Sequence, residues 1–204
     1  MFTPDDPSDT STTSRGTLLD YRCVRLKATG LAQSYADGSG DGEYQVSEED
    51  QIRFLAVHTA FKDVIEKHGP EIFLVDATEK VVYVEEIEGQ SLRDFMYNLN
   101  WDSPEEVDAA KEVIHNALDI MSSIQRDGFC SPVGARGYVV RPDLTVAQVD
   151  FEEIVNLQPS TICDDKTTLY ESIIDILRNV LTDDDDFEIG YERADEILEE
   201  LFYV

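Results

Sequence analysis

Residues 81–95 read VVYVEEIEGQSLRDF, and the change of pattern inside this stretch decides the fold class. Val81-Val82-Tyr83-Val84 is a short β-branched and aromatic run of the kind that forms a strand. Gly89 and the polar pair Gln90-Ser91 follow, and a short helix starts there, over residues 91–99. Before this point the chain reads mainly as strands, and after it mainly as helices. That segregation predicts an α+β protein.

Working back from the junction, residues 71–75 and 80–87 form a hairpin through a turn at 76–79, and Gly69-Pro70 stops a preceding helix. That helix begins at the acidic start Ser47-Glu48-Glu49-Asp50 and carries Ile52, Leu55, Phe61, Val64 and Ile65 at helical spacing to about residue 67. Residues 34–43, SYADGSGDGE, are too rich in glycine and aspartate to bury anything and read as a loop. Residues 18–28, LLDYRCVRLKA, alternate as a strand. Residues 1–16 are rich in Ser, Thr, Asp and Pro and read as a disordered tail.

Working forward, residues 104–125 give the clearest helix. Ser103 caps it, Pro104 suits its first turn, Glu106 completes a capping box, and Val107, Ala110, Ile114, Ala117, Met121 and Ile124 make one apolar stripe that Gly128 ends. Residues 138–140 and 146–151 form a hairpin around Arg141-Pro142-Asp143. Two helices follow, at 167–181 with Leu169, Ile173, Ile176, Leu177 and Val180, and at 191–202 with Ala194, Ile197, Leu198 and Leu201.

The chain has 204 residues, with 44 Asp+Glu against 16 Lys+Arg, a formal net charge of −28. The 42% hydrophobic content is enough for a sizeable core, so the acidity belongs on the surface. Such a field repels phosphate backbones and anionic membranes, which excludes direct nucleic-acid binding through a basic patch. No apolar run approaches the roughly 20 residues that cross a bilayer. Cys23, Cys130 and Cys163 are odd in number and lack CxxC spacing, which points to a reducing, intracellular, cytoplasmic setting. Cys130 reads as a buried structural cysteine in preference to a reactive thiol. His58, His68 and His115 are too scattered for zinc, and no nucleophile elbow, Walker A or dinucleotide glycine pattern occurs. The run Asp183 to Asp186 and the glutamate pairs at 48–49, 85–86, 105–106 and 199–200 read as solvated faces.

The order of elements, with Val84-Glu85-Glu86-Ile87-Glu88-Gly89-Gln90-Ser91-Leu92 as a linker, resembles the protein-kinase fold over residues 20–182. The nearest flavour is the small Bud32-like and lipopolysaccharide-kinase-like group. The resemblance implies a reduced N-lobe of strands plus one helix over 17–88 and a mostly helical C-lobe over 89–204. It also implies a catalytic loop after the long helix, where this chain has Ser131-Pro132-Val133-Gly134-Ala135-Arg136-Gly137-Tyr138. Val133 stands at the position of the family's catalytic aspartate and Tyr138 at that of its metal-binding asparagine. Neither side chain can orient an acceptor hydroxyl or ligate magnesium, so the resemblance implies a pseudokinase and no enzyme. Val149-Asp150-Phe151-Glu152 resembles the family's DFG motif with glutamate for glycine. Asp150 is the one retained metal position, and Lys27 matches the strand lysine, with Glu48 or Glu49 as its partner. These are the residues a residual ATP or magnesium ion would use, and capping of the hairpin is the plainer role for Asp150. The room before residue 17 is too short for a glycine-rich hairpin over phosphates, and Gly38, Gly40 and Gly42 fall after the strand.

Together these features point to a catalytically inactive, kinase-like regulatory scaffold that binds a protein partner with a basic surface and requires no cofactor. Two alternatives come from other classes: an acidic nucleic-acid mimic that blocks a basic DNA- or RNA-binding protein, and a residual nucleotide-binding phosphotransferase. Salt adaptation is a further source of the acidity.

Overall fold

The computed structural model describes residues 1–6, 8, 13–27, 47–158, 163, 165–181 and 187–202. The expected loop at 34–43 with its three glycines and the aspartate run at 183–186 lie outside the described residues. The protein is α+β and divides into two compact units, Met1–Glu86 and Ile87–Val204.

The first unit is an antiparallel five-stranded sheet with two helices. Its strands are β1 (Phe2–Pro4), β2 (Thr13–Leu18), β3 (Tyr21–Lys27), β4 (Ile72–Asp76) and β5 (Val81–Glu85), in the order β1-β2-β3-β5-β4. Between β3 and β4 come α1 (Glu48–Ala60) and α2 (Lys62–His68). Two of these strands correct the expectation of a disordered tail over 1–16 and of a reduced sheet. Ser14, Gly16 and Leu18 of β2 are buried at alternate positions, and Gly16 faces Thr3 and Phe2 so closely that a Cβ would strike both. The Arg25 guanidinium lies 5.0 Å from the Phe2 ring centroid and donates through Nε to Ser14 Oγ. Arg22 pairs with both Asp5 and Glu86. Polar composition hid the strands, because their partners are remote side chains that no local pattern reveals.

Helix α1 is capped as its sequence implies, with Ser47 Oγ accepting from Asp50 N. The expected single helix to residue 67 is interrupted at Phe61, and the chain resumes as α2, with Lys62 Nζ donating to Ile72 O at 2.7 Å. The β4–β5 turn is an Asx turn in which Asp76 Oδ1 accepts from Thr78 N and Glu79 N.

The second unit begins with β6 (Gln90–Ser91) and α3 (Leu92–Tyr97), then α4 (Pro104–Arg126), β7 (Phe129–Cys130), β8 (Tyr138–Val140), β9 (Val146–Gln148), β10 (Val155–Asn156), α5 (Asp165–Leu181) and α6 (Phe187–Phe202). Strands β6, β8 and β9 form one small sheet, and β7 and β10 another. All six expected apolar positions of α4 are buried, together with Val113, against Leu169, Ile173, Ile176 and Leu177 of α5 and Ala194, Ile197, Leu198 and Leu201 of α6. Each fully buried leucine or isoleucine contributes about 1.5–3 kcal/mol before entropy is counted. Ser103 Oγ caps α4 at Glu106 N, but the Glu106 carboxylate accepts from Asn100 N at 2.8 Å, so the glutamate closes a turn three residues earlier than the capping box would. Gly89 has φ +149°, and a Cβ there would strike Val140 O, so the glycine is what lets β6 lie against β8.

Candidate functional site

The segment from Cys130 to Glu152 contains Val133, Tyr138 and Asp150, the positions singled out in the sequence, and all of it belongs to the second unit. After β7 the chain passes through Ser131-Pro132-Val133-Gly134 into a single 3-10 turn, Ala135–Gly137. Two anchors hold this loop. Ala135 N donates to Ser172 Oγ of α5 at 2.9 Å, and Gly137 O accepts from Val149 N at 2.8 Å and, more loosely, from Asp150 N at 3.4 Å. Gly137 lies close against both Val133 and Asp150, since a Cβ on it would sit 3.0 Å from Val133 Cβ and 3.1 Å from Asp150 Cβ. The structure therefore brings Val133 and Asp150 to one place.

The chemistry available there is meagre. Val133 is 5% exposed and Tyr138 is fully buried in the core shared by α4, α5 and α6, so both serve as packing. Gln148, also fully buried, donates through Nε2 to Ser131 Oγ and to Asp150 O, both at 2.7 Å, and thereby ties the loop to the end of β9. Asp150 is exposed, and its Oδ1 accepts from Glu152 N at 3.2 Å, an Asx turn that ends the β8–β9 hairpin. Phe151, next in sequence, is 2% exposed. Burial first, and then the Asp150 and Glu153 charges, push the Glu152 carboxyl up to about 7.

Magnesium binding is the test this donor set has to pass. Among the described residues no group of three or more His, Cys, Asp or Glu is arranged to hold a metal ion. Asp150 supplies one carboxylate, partly used by its own turn, while the neighbouring positions are valine and a buried tyrosine. Hard divalent cations need several oxygen ligands. The residues present do not fit the ion.

The remaining expected site residues lie in the first unit. Lys27 is half-buried at the end of β3, opposite Val81 of β5. Glu48 and Glu49 are exposed at the first turn of α1, and Glu48 lines an open groove of about 630 Å³ between α1 and the β4–β5 turn. Sequence reasoning missed this groove. It placed Ile52 and Leu55 at helical spacing with Phe61, Val64 and Ile65, whereas the buried face of α1 is Phe54, Val57 and His58, and Ile52 is 60% exposed. The signal lay in Ile52, Ala56, Thr59 and Ala60, an uncharged face at helical spacing opposite Phe54 and Val57.

Cys130 and Cys163 are joined by a disulfide, and Cys23 is a buried free thiol. The odd count and the lack of CxxC spacing gave no sign of this pair, because the two partners are 33 residues apart and meet only through the fold. Such bonds persist mainly in oxidising settings, so the cysteines by themselves are no argument for a reducing one. Among the described residues no helix is long and apolar enough to cross a membrane. In comparisons with protein-family models and with curated proteins, nothing matches this chain.

Proposed function

We propose that the protein is a non-catalytic member of the kinase-like fold that acts as a regulatory scaffold by binding a protein partner with a basic surface. The observation that carries this reading is the burial of Val133 and Tyr138 in the hydrophobic core, at the two positions where phosphoryl transfer requires an aspartate and an asparagine. Support for the fold comes from the element order: strand β3, helix, hairpin β4–β5, linker, short α3, long α4, irregular loop, hairpin β8–β9, helices α5 and α6. Strands β1 and β2 precede β3 as a hairpin, but the residues joining them, 5–12, read DDPSDTST, with three aspartates and no glycine. A phosphate-covering hairpin needs glycines that let backbone N–H groups approach closely, and this stretch of sequence has none. With a net charge of −28, the chain favours a cationic protein over an ATP anion.

The nucleic-acid mimic has one observation in its favour. The second unit carries 27 Asp+Glu against 8 Lys+Arg, whereas the first carries 17 against 8, so the acidity is concentrated on the helical unit. Its distinguishing property is a partner affinity that falls steeply with salt.

The test is a thermal-melt titration with ATP, with and without magnesium. A nucleotide-binding protein gains about 2.7 kcal/mol at a hundredfold excess over the dissociation constant. The scaffold reading expects no gain. A magnesium-dependent gain that Asp150→Ala abolishes overturns it and establishes the residual phosphotransferase instead.

A further inference from the structure

We infer that the groove between α1 and the β4–β5 turn is the docking site for a basic, amphipathic peptide segment of the partner, with its apolar anchors on Ile52, Leu55 and Val75. The inference rests on the scaffold reading above and specifies where and how the partner binds. Three observations carry it.

The first is the composition of the face. In a chain with 29% charged residues, the outward side of α1 presents Ile52, Leu55 and Ala56 across from Val75 of β4. Ile52 is 60% exposed, although the same helix buries Phe54 and Val57 on its other side. A helix whose apolar residues extend round to its outer face has more hydrophobic surface than its own unit covers.

The second is shape. The groove is open and about 630 Å³, large enough for two or three side chains of an incoming segment, and its walls are a regular helix and a hydrogen-bonded turn. Rigid elements hold such a surface ready without an ordering cost on this side of the complex. Apolar anchors at helical spacing in a groove of this kind are one of the recurring modes of peptide recognition.

The third is charge, and it selects the occupant. Glu48 lines the groove at the start of α1 and Glu49 and Asp50 share that first turn, while Asp76 and Glu79 belong to the turn whose Ala77 and Lys80 line the facing wall. Against these five carboxylates stand two cations, Lys80, which lines the groove with its ammonium donating to Gln51 Oε1, and the exposed Arg53 of α1. This excess of carboxylate over cation on the two walls favours an anchor flanked by lysine or arginine and disfavours an acidic segment. A second copy of this acidic chain meets the same repulsion.

The probe for a test is a labelled leucine–lysine peptide with leucines at helical spacing, alongside a serine–lysine peptide of equal charge and a leucine–glutamate peptide. The variant is Ile52→Asn with Ala56→Gln, a neutral change of two exposed side chains whose fold a thermal melt checks. The leucine–lysine peptide is expected to saturate at one per chain and to lose about tenfold in affinity in the variant, as for removal of anchors at the centre of an interface. The serine–lysine peptide is expected to bind more weakly and equally to both proteins, and the leucine–glutamate peptide not to bind. Unchanged affinity in the variant overturns the inference, as does self-association of the free chain that the same substitutions abolish. Either result leaves the non-catalytic reading intact, because that reading fails only if magnesium and ATP stabilise the protein.

Discussion

The loop from Ser131 to Gly137 and the outer face of α1 dispose of their side chains in opposite ways. In the loop the fold consumes nearly everything: Val133 packs inward, Ala135 N and Gly137 O are hydrogen-bonded to other segments, and Gln148 fastens Ser131 to the backbone of Asp150. On α1, Ile52 stands out in solvent above an open groove, with no apolar neighbour covering most of its surface. Catalytic sites hold polar groups in readiness and bear a stability cost for it. Here the readiness is at the helix face, and the loop is optimised as core. The contrast favours binding over chemistry.

The sharpest way to break the contrast is to return a carboxylate to the loop. Val133→Asp puts a second acidic group beside Asp150 at a position that is 5% exposed, and we expect a loss of about 3–5 kcal/mol in urea unfolding with no gain in stability on adding magnesium and ATP. Were the loop a dormant catalytic site, the substitution would be tolerated and would confer nucleotide binding.

A smaller effect concerns Glu152. Its carboxyl titrates near 7 in the folded protein against an ordinary 4.5, so the folded chain holds its proton more tightly than the unfolded chain does. Stability is therefore lost as pH rises from about 4.5 to about 7 and the loss is complete above that range. Glu152→Gln removes this loss. We expect its melting temperature to equal that of the natural chain at pH 4 and to exceed it at pH 8, and an equal difference at both values would contradict the assigned cause.

The smallest effect is on the other side of the comparison. Because Ile52 and Ala56 are exposed, Ile52→Asn with Ala56→Gln should shift unfolding stability by no more than about 0.5 kcal/mol. A loss of 2 kcal/mol or more, of the order that follows core truncation, would mean that the face is already covered within the chain.

The elements that could be read from sequence were those whose signals are local. Helix α4 announces both ends and its stripe within 23 residues, through Ser103, Pro104 and the spacing from Val107 to Ile124. The hairpin β8–β9 was equally readable, as two apolar runs about a Pro-Asp turn. Strands β1 and β2 were not, because Ser14 and Gly16 are buried by Phe2 and Arg25, partners that polar composition cannot point to. The cysteine pair depends in the same way on a long-range meeting. Val133 and Tyr138 stand out in sequence only by residue type, and their burial in the core needed the fold. The groove was missed because Ile52 and Leu55 were credited to a stripe that includes Phe61, Val64 and Ile65, and the break at Phe61 dissolves that stripe.

One experiment addresses the contrast between loop and groove directly: amide hydrogen exchange of the intact chain, alone, with magnesium and ATP, and with the leucine–lysine peptide. The peptide should slow exchange in α1 and the β4–β5 turn, and the nucleotide should leave residues 131–152 unchanged. Protection of residues 149–152 by magnesium and ATP, with none in α1 on adding peptide, would contradict the account.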